Sequence, residues 1–223
     1  LPLFREIVDA YPWHFCQIQY NYLDTNYQAG TPGLKYAAER NMGVVIMEPL
    51  RGGNLARNIP DVMKKIWSES PKPFSPAGWA LRWLWDQPEV SVVLSGMTTE
   101  QDLEDNLASA DDACTGCLTA GERDMIARVT EEYRTRMKVL CTGCQYCMPC
   151  PAGVNIPECF NRYNMVFMFD NLEQARMTYP VFLKPGSRAS ACVKCGACEE
   201  KCPQNLQIRE LLDSVTELLE PKE

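Results

Sequence analysis

The sequence predicts an α/β region in its first half and a helical, cysteine-rich region in its second half. Apolar strand-like stretches alternate with helical stretches over residues 1–110, a pattern typical of a parallel sheet covered by helices. Eight cysteines then fall in two closely spaced runs after residue 140. We therefore expect an α/β region at 1–110, a connecting helix at 111–138 and a cysteine-rich region at 139–223.

Three apolar stretches of the first region have the composition of β-strands, and helical stretches separate them. The predicted strands are residues 15–20, 43–47 and 90–94, and the predicted helices are residues 31–41, a helix after Ser75-Pro76, and one opening over 99–107. Three such strands cannot close a barrel, and as an open sheet they would leave edges and apolar faces bare. This region therefore needs partner strands beyond those three.

Cap signals predict the helices that follow. Thr119 and Glu122 have the spacing of a capping box, and an apolar stripe continues from them. Asn155 is a plausible N-cap with Pro157 in the first helical turn. Apolar residues also recur at helical spacing after Pro203. A connecting helix and two helices of the cysteine-rich region are therefore predicted.

The two cysteine runs have the same spacing over their first three cysteines and differ by one residue before the fourth. The first is C-x2-C-x2-C-x2-C followed by Pro151, and the second is C-x2-C-x2-C-x3-C followed by Pro203. Three thiolates at this spacing can bind one face of a cubane cluster, while the fourth reaches the other cluster. We expect two [4Fe-4S] clusters with crossed ligands. The predicted sets are Cys141, Cys144, Cys147 and Cys202 for one cluster, and Cys192, Cys195, Cys198 and Cys150 for the other.

Zinc is the main alternative to an iron–sulfur cluster, because C-x2-C pairs also form tetrahedral zinc sites of four thiolates. Zinc needs only two pairs, however, and leaves the third cysteine of each run and both Cys-Pro endings unexplained. Disulfides are the weaker competitor. Cys150 is the least regular candidate, since the first run is one residue shorter before its last cysteine than the bacterial spacing. Crossed ligation would make folding of this region depend on both clusters.

Four cysteines and the single histidine lie outside these runs. Cys16 and Cys159 fall in apolar patterns, where buried small side chains are usual. Cys114 and Cys117 form an isolated C-x2-C in an acidic turn. This spacing is compatible with a redox pair, with half of a metal site, or with a turn that has no chemical function. His14 is more typical of a residue that enters a strand than of a catalyst.

The composition excludes several classes of function. With 22 basic and 29 acidic residues the formal charge is −7, which argues against binding to nucleic acid. No run approaches the roughly 20 apolar residues of a membrane-spanning helix, and the first residues do not have the pattern of a signal peptide. We expect a soluble protein of the cytoplasm, without membrane insertion, because cysteine-rich cluster proteins belong in a reducing compartment. We also expect that the segment starting at Leu1 was cut from a longer chain.

Several motifs resemble the last three strand–helix units of the aldo/keto reductases. They are residues 17–21, residues 43–50 with Gly52-Gly53, and residues 94–97 followed by 104–106. With the cysteine region attached, the chain resembles the C-terminal part of members of that family fused to a two-cluster ferredoxin-type domain. The resemblance implies the C-terminal portion of a (β/α)8 TIM barrel followed by an α-helical ferredoxin-like domain. In such barrels, cofactor and substrate bind at the carboxyl ends of the strands.

The resemblance also implies which residues contact a nicotinamide cofactor, NAD(H) or NADP(H). Gln17 matches the residue that binds the carboxamide, and Met47 stands where many members carry a stacking aromatic ring. The pyrophosphate loop would be Leu50, Arg51, Gly52 and Gly53, and the adenosine stretch Gly96, Met97, Thr98, Asp102, Asp105 and Asn106. Members that prefer NADPH carry Lys or Arg near the adenosine. This chain has Gly96 and Asp102 there, which favours NADH because an acidic group repels a phosphate.

The family's acid–base set is a Tyr supported by Lys, Asp and His, and it matches nothing in this chain, so no residue is predicted to be catalytic. We expect the full-length protein to be an iron–sulfur oxidoreductase that couples hydride chemistry in the complete barrel to one-electron transfer through two clusters. Its partner would be a redox protein such as a ferredoxin or flavoprotein, and its small-molecule substrate is not predicted. The alternatives are an electron-transfer or docking protein with a non-catalytic barrel, and clusters that are structural or sense oxygen.

Overall fold

The computed structural model describes residues 1–57 and 59–220, and it divides into two compact units. Unit 1 covers residues 1–132 and unit 2 covers residues 133–223. The division lies within the stretch 111–138 that the sequence predicts as a connector. Within the described residues, the helices are too short or too polar to span a bilayer.

Unit 1 contains a three-stranded parallel sheet with strand order β1-β2-β3. Its elements are α1 (Pro2–Asp9), β1 (Phe15–Gln19), α2 (Gly30–Ala38), β2 (Gly43–Met47), α3 (Asp61–Trp67), α4 (Pro76–Trp85), β3 (Val92–Val93), α5 (Glu100–Asp111) and α6 (Ala120–Thr135). The predicted strand at 43–47 is confirmed, whereas the one at 90–94 is reduced to two residues that pair with β2.

Among the described residues only one face of the sheet is buried, and the other is the bare apolar face expected of three strands that lack partner strands. Ile18 of β1 and Ile46 of β2 are register partners, and both are buried in the core formed with α1 and α2. Side chains alternate between the faces of a strand. Phe15 and Val92, which are 62% and 47% exposed, are not covered. The described helices bury one face of the sheet and leave apolar side chains exposed.

Polar caps begin the later helices of unit 1, as the sequence predicts. The Ser75 hydroxyl accepts an N–H of α4 at 2.9 Å. Thr99 and Asp102 form a capping box at the start of α5. Thr119 and Glu122 form the predicted one ahead of α6, where Glu122 N donates to Thr119 Oγ1 at 3.2 Å and Thr119 N donates to Glu122 Oε2 at 2.8 Å. These side chains satisfy N–H groups that a helix start leaves without partners.

Unit 2 consists of helices packed around the cysteine loops. They are α7 (Ile156–Phe169), α8 (Leu172–Phe182), α9 (Ala197–Glu200) and α10 (Ile208–Leu219), with short 3-10 helices at Pro185–Ser187 and Ala189–Ala191. Asn155 caps α7 as predicted, with its side chain accepting from Glu158 N. The core of unit 2 is built from Phe160, Tyr179 and Leu212, all almost fully buried. The cysteine runs pack against this core.

Candidate functional site

Eight cysteines of unit 2 line two cavities, with four cysteines in each. Cavity A is lined by Cys141, Cys144, Cys147 and Cys202, and cavity B by Cys150, Cys192, Cys195 and Cys198. In each cavity, three cysteines come from one run and the fourth comes from the other run. This is the crossed division expected from the spacing, and it includes Cys150. That these cysteines bind iron stays a prediction.

The two cysteine loops have left-handed residues at matching positions. Two residues after the first cysteine, Gly143 has φ 67° and Lys194 has φ 56°. Four residues after it, Gln145 has φ 64° and Gly196 has φ 83°. The same spacing therefore produces the same backbone turn in both runs.

A backbone N–H also reaches the first sulfur of each loop. Lys194 N donates to Cys192 Sγ at 3.4 Å, and Gly143 N donates to the Cys141 sulfur. N–H groups aimed at cluster sulfurs are among the features that set cluster potentials. Both loops therefore carry a polar contact suited to a bound cluster.

The two Cys-Pro segments repeat each other as well. Cys150 and Cys202 each precede by three positions a left-handed residue, Gly153 with φ 81° and Asn205 with φ 51°. The N–H of that residue donates back to the cysteine carbonyl, at 2.9 Å from Gly153 and 3.1 Å from Asn205. Helices α7 and α10 then begin at equivalent distances along the chain. Unit 2 is therefore built from two similar halves, each of which supplies three cysteines to one cavity and one to the other.

Apolar side chains form most of the cavity walls. Ile156 lines both cavities, Phe160 lines cavity A and Leu212 lines cavity B. The two halves differ where α7 has Pro157 in cavity A and α10 has Arg209 in cavity B. Among the described lining residues, Arg209 is the one with a charged side chain. The two cavities therefore differ in electrostatic environment.

Arg209 is held beside cavity B by Glu199. Its guanidinium contacts the Glu199 carboxylate at 2.7 Å and 2.9 Å, and Arg209 N donates to the same group at 2.9 Å. The side-chain hydrogen bond from Arg209 holds the pKa of Glu199 below its ordinary value. The Arg209 charge is therefore partly offset, although its position is fixed.

Burial favours the neutral thiol at several of these cysteines. It raises the pKa of Cys141 and Cys198, and that of Cys147 to about 11. Nearby cysteines add to the effect, and Cys147 also interacts electrostatically with Cys198 of the other set, which indicates that the cavities are neighbours. Iron binds thiolate, so cluster insertion must displace protons from these sulfurs.

The donor set fits an iron–sulfur cluster. Among the described residues, no three His, Cys, Asp or Glu side chains converge closely enough to hold a single metal ion. A zinc ion bonded to sulfur at about 2.3 Å would bring four sulfurs to within about 4 Å of each other. Four cysteines around each cavity, with apolar walls, have the composition of a [4Fe-4S] ligand set, and their binding of iron stays a prediction.

Asn164 of α7 fixes the segment that leads into the first cysteine run. Its buried side chain accepts from Lys138 N and from Val139 N, both at 2.9 Å, and donates to Val139 O at 2.7 Å. Cys141 follows two residues later. Sequence reasoning missed this positioning residue, although a polar side chain within the aromatic stripe of α7 was a usable signal.

The residues predicted to bind nicotinamide project from the exposed sheet face of unit 1. Gln17 Nε2 donates to Met47 Sδ at 3.2 Å, across the pair formed by β1 and β2. Fully buried Asn21 joins the ends of these strands by donating to Glu48 O and to the Asp24 carboxylate, both at 3.0 Å. The predicted nicotinamide contacts are therefore brought together at one edge of the sheet.

The predicted pyrophosphate loop follows β2 and turns through consecutive left-handed residues. Arg51, Gly52 and Gly53 have φ of 50°, 64° and 85°. A Cβ at Gly53 would meet no atom within 4 Å, so the conformation and not the space requires glycine there. Leu55 N donates to Leu50 O at 3.1 Å and closes the loop. The Arg51 guanidinium is directed to Asp24, at 3.5 Å.

Arg57, which sequence reasoning missed, contacts the predicted adenosine stretch. Its Nη2 donates to Thr98 Oγ1 and to Asp102 Oδ2, each at 2.8 Å. Several contacts lower the pKa of Asp102, and the hydrogen bond from the Thr98 backbone N–H has the largest effect. The Asp102 carboxylate thus caps α5 and binds Arg57. The two residues are far apart in sequence, and an arginine at the end of the glycine loop was the available signal.

The other predicted adenosine contacts differ in exposure. Gly96 and Met97 are exposed. Asn106 Nδ2 donates to Ser95 Oγ at 2.8 Å, and Asp105 accepts a 2.6 Å hydrogen bond from the hydroxyl that caps α4. Asp105 and Asn106 therefore hold the fold locally, whereas Gly96 and Met97 face open space. Contact of any of these residues with a nucleotide stays a prediction.

Comparisons with known proteins agree with both regions. Residues 6–115 match the model of the aldo/keto reductase family, and residues 140–206 match that of the 4Fe-4S dicluster domain. Among solved structures, the chain is similar to the holo form of aldo-keto reductase AKR11C1 from Bacillus halodurans, with 22% identity and a TM-score of 0.39. That match covers 50% of this chain and 41% of the other. The search of curated proteins found no match.

Proposed function

We propose an iron–sulfur oxidoreductase of the aldo/keto reductase type, because residues 6–115 match the model of the aldo/keto reductase family and residues 140–206 match that of the 4Fe-4S dicluster domain. In this proposal unit 1 is the C-terminal portion of a (β/α)8 barrel and unit 2 is an α-helical ferredoxin-like domain. The complete barrel exchanges a hydride with a nicotinamide or an organic substrate. Unit 2 passes single electrons to or from a redox partner.

The observation that carries this proposal is the distribution of the cysteines. Each cavity is lined by four cysteines, in the crossed sets that two-cluster proteins use. Bound at these positions, two [4Fe-4S] clusters supply one-electron redox chemistry over a potential range of roughly −700 to +450 mV. The thiolates hold iron, the loop N–H groups of Gly143 and Lys194 reach the sulfurs, and Ile156 and Phe160 keep water from the walls.

The proposal that unit 1 binds a nicotinamide nucleotide rests on residues at the carboxyl ends of β1 and β2. Gln17 and Met47 would face the nicotinamide, and the glycine loop would approach the pyrophosphate with its backbone. The preference for NADH loses its main support, because the Asp102 carboxylate that was expected to repel a 2′-phosphate is paired with Arg57. NAD(H) and NADP(H) are therefore both retained as candidate cofactors.

The partner and location follow from this chemistry. Conversion between two-electron and one-electron steps normally uses a flavin or a similar centre, so the proposed partner is a flavoprotein or a ferredoxin. The proposed location is the cytoplasm of a cell living at low oxygen, since a reducing compartment keeps cluster cysteines available.

A second candidate is an electron-transfer or docking protein whose barrel is a scaffold. Met47 favours it, because a thioether in contact with Gln17 replaces the aromatic ring that many family members stack on the nicotinamide. In that case unit 2 relays electrons and the sheet edge of unit 1 binds no nucleotide.

The discriminating experiment uses the complete protein purified without oxygen. NADH and NADPH are added separately, nucleotide binding is followed by calorimetry, and cluster reduction is followed by loss of visible absorbance. The oxidoreductase proposal expects nucleotide binding and a change in cluster oxidation state on addition of nucleotide, flavoprotein and substrate together. Cluster reduction by a ferredoxin without nucleotide binding would favour the relay.

A matched pair of variants assigns the effect to the clusters. Cys202→Ser removes a proposed ligand of cavity A and should abolish the nucleotide-dependent change. Cys159→Ser replaces a buried cysteine that lies in the helix core and hydrogen-bonds Tyr179, and it should preserve the change. Equal behaviour of both variants would contradict the assignment.

A further inference from the structure

Cys114 and Cys117 lie in the turn between α5 and α6, within unit 1. The structure pairs their sulfur atoms, and their Cα atoms are 5.5 Å apart, inside the range found for disulfides. Both residues are exposed. The cluster cavities do not involve them. This pair is therefore a sulfur site for which the proposed function gives no role.

The turn is held in place without the sulfur–sulfur bond. Asp86, at the end of α4, accepts from Gly116 N through its carbonyl at 3.0 Å and from Leu118 N through its carboxylate at 2.9 Å. The Arg123 guanidinium binds the same carboxylate at 2.8 and 3.1 Å. Because none of these contacts involves a sulfur atom, opening the bond breaks none of them, and the two thiols would remain close enough to re-form it.

The bond itself is poorly suited to a structural role. A disulfide stabilises a fold mainly by closing a long loop in the unfolded chain, and this one closes a loop of only a few residues. Exposed disulfides are in addition more readily reduced than buried ones. Reversible opening is the chemistry that this combination of exposure and external support permits.

A cavity of about 290 Å³ gives a small molecule access to the pair. Phe74 and Leu118 supply apolar lining beside the two cysteines. The cations of the lining are paired: Lys72 with Glu122 at 2.5 Å, and Arg82 with Asp112 at 3.5 Å. The cavity is therefore close to neutral, and it neither excludes nor selects an incoming thiolate by charge.

The remaining cysteines outside the cluster loops are poor competitors for such a reaction. Burial raises the pKa of Cys16 and raises that of Cys159 to about 12. The thiolate is the reactive form of cysteine, so both are expected to react slowly near neutral pH.

We propose that Cys114 and Cys117 form a reversible dithiol–disulfide centre that exchanges two electrons with low-molecular-weight thiols. A thiolate from the small thiol attacks one sulfur, the protein disulfide breaks, and the other cysteine leaves as thiolate. The thiolate of a second small thiol then attacks the small-thiol sulfur of this mixed disulfide, a small disulfide forms, and the protein cysteine leaves as thiolate. The net reaction converts one protein disulfide and two small thiols into two protein thiols and one small disulfide, and the two electrons and two protons come from the small thiols.

The test uses the complete iron-containing protein, equilibrated without oxygen in glutathione buffers of varied reduced-to-oxidised ratio. N-ethylmaleimide traps free thiols at neutral pH, and mass spectrometry reads the tryptic peptide 83–123, in which Cys114 and Cys117 are the sole cysteines. The proposal expects one two-electron transition between an unlabelled and a doubly labelled peptide, while Cys16 and Cys159 stay unlabelled. It is overturned by double labelling at every ratio, by a bond that persists in excess dithiothreitol, or by glutathione adducts in place of the internal disulfide.

Two variants complete the test. Cys114→Ser leaves Cys117 without its partner, and the peptide should then carry one glutathione under oxidising conditions. Cys16→Ser is the matched control and should keep the two-electron transition. Absence of the adduct in Cys114→Ser would show that the site is closed to small thiols and would overturn the proposal. Iron content is measured in each sample, so that failure of this centre is distinguished from failure of the clusters.

Discussion

Replacing Asn164 with alanine should release the first cysteine run from its anchor. The native side chain makes three hydrogen bonds to the backbone of Lys138 and Val139. Val139 is 1% exposed, so water cannot replace the two partners that its N–H and C=O lose. At about 1 kcal/mol for each of the three hydrogen bonds, plus a penalty of about 1–3 kcal/mol for leaving a buried polar group without a partner, the free energy of unfolding should fall by about 4–6 kcal/mol.

The effect should be larger at cavity A than at cavity B, because Cys141 follows the released segment closely and lines cavity A. Alkylation of anaerobic protein during mild chelation, with each labelled cysteine identified by fragmentation of the peptides, measures this directly. In Asn164→Ala, Cys141, Cys144, Cys147 and Cys202 should become reactive together, ahead of the cavity B set.

Asn171→Ala is the control for general destabilisation. It removes the N-cap of α8, whose side chain accepts from Gln174 N at 3.0 Å, and should cost about 1 kcal/mol. In Asn171→Ala, neither set of cysteines should become reactive ahead of the other. If Asn164→Ala loses less than 1 kcal/mol of stability, or if both sets become reactive at the same rate, Asn164 does not position cavity A.

Three further predictions test the surrounding structure. The buried Tyr133 hydroxyl has no partner in the described part of the chain, so Tyr133→Phe should raise the free energy of unfolding by about 1 kcal/mol or more in denaturant titration; a loss would show that the hydroxyl is satisfied. Burial raises the pKa of Glu122, but hydrogen bonds, first from Lys72, lower it further than burial raises it. The stabilisation by Glu122 should therefore be present above the unfolded pKa of about 4.3 and disappear as pH falls through the lower folded pKa. The difference in free energy of unfolding between the native protein and Glu122→Gln should then decrease on acidification, and an increase would contradict this reasoning. Arg209→Gln removes the cation of cavity B and should lower the reduction potential of the cluster in cavity B, but not that of the cluster in cavity A, in an EPR-monitored titration. Arg176→Gln, outside the cavity walls, is the control and should change neither potential. A change in both potentials in Arg209→Gln would refute the proposed electrostatic difference between the cavities.

Local signals made part of the fold predictable. The strand at Gly43–Met47 is a continuous apolar run, and the starts of α4, α5 and α7 carry side chains that cap their own helix. Helix α8 was not predicted. It contains Pro180 within its last turn, and a proline usually argues against a helix. Pro180 has no N–H to donate to the residue four positions before it, so α8 lacks one helical hydrogen bond there while its first turns need none from Pro180.

The candidate site likewise contains features that local sequence predicts and features that it does not. The crossed grouping of the cysteines follows from their spacing, because each run repeats the same left-handed turns and each Cys-Pro segment leads into a helix. The residues Asn164, Arg57 and Arg209 act through partners distant in sequence or across a cavity wall. No local pattern specifies such contacts. An exposed sheet face was expected from the small number of strands, but apolar strand composition does not reveal which of the two faces the helices cover.

The central claim is that two sets of four cysteines each hold a [4Fe-4S] cluster. The most direct measurement is iron and acid-labile sulfide analysis, with EPR of the reduced state, on protein purified without oxygen. We expect about eight iron and eight sulfide per chain and the signals of two interacting clusters. A compact protein that contains zinc, or neither metal, after such handling would contradict the claim.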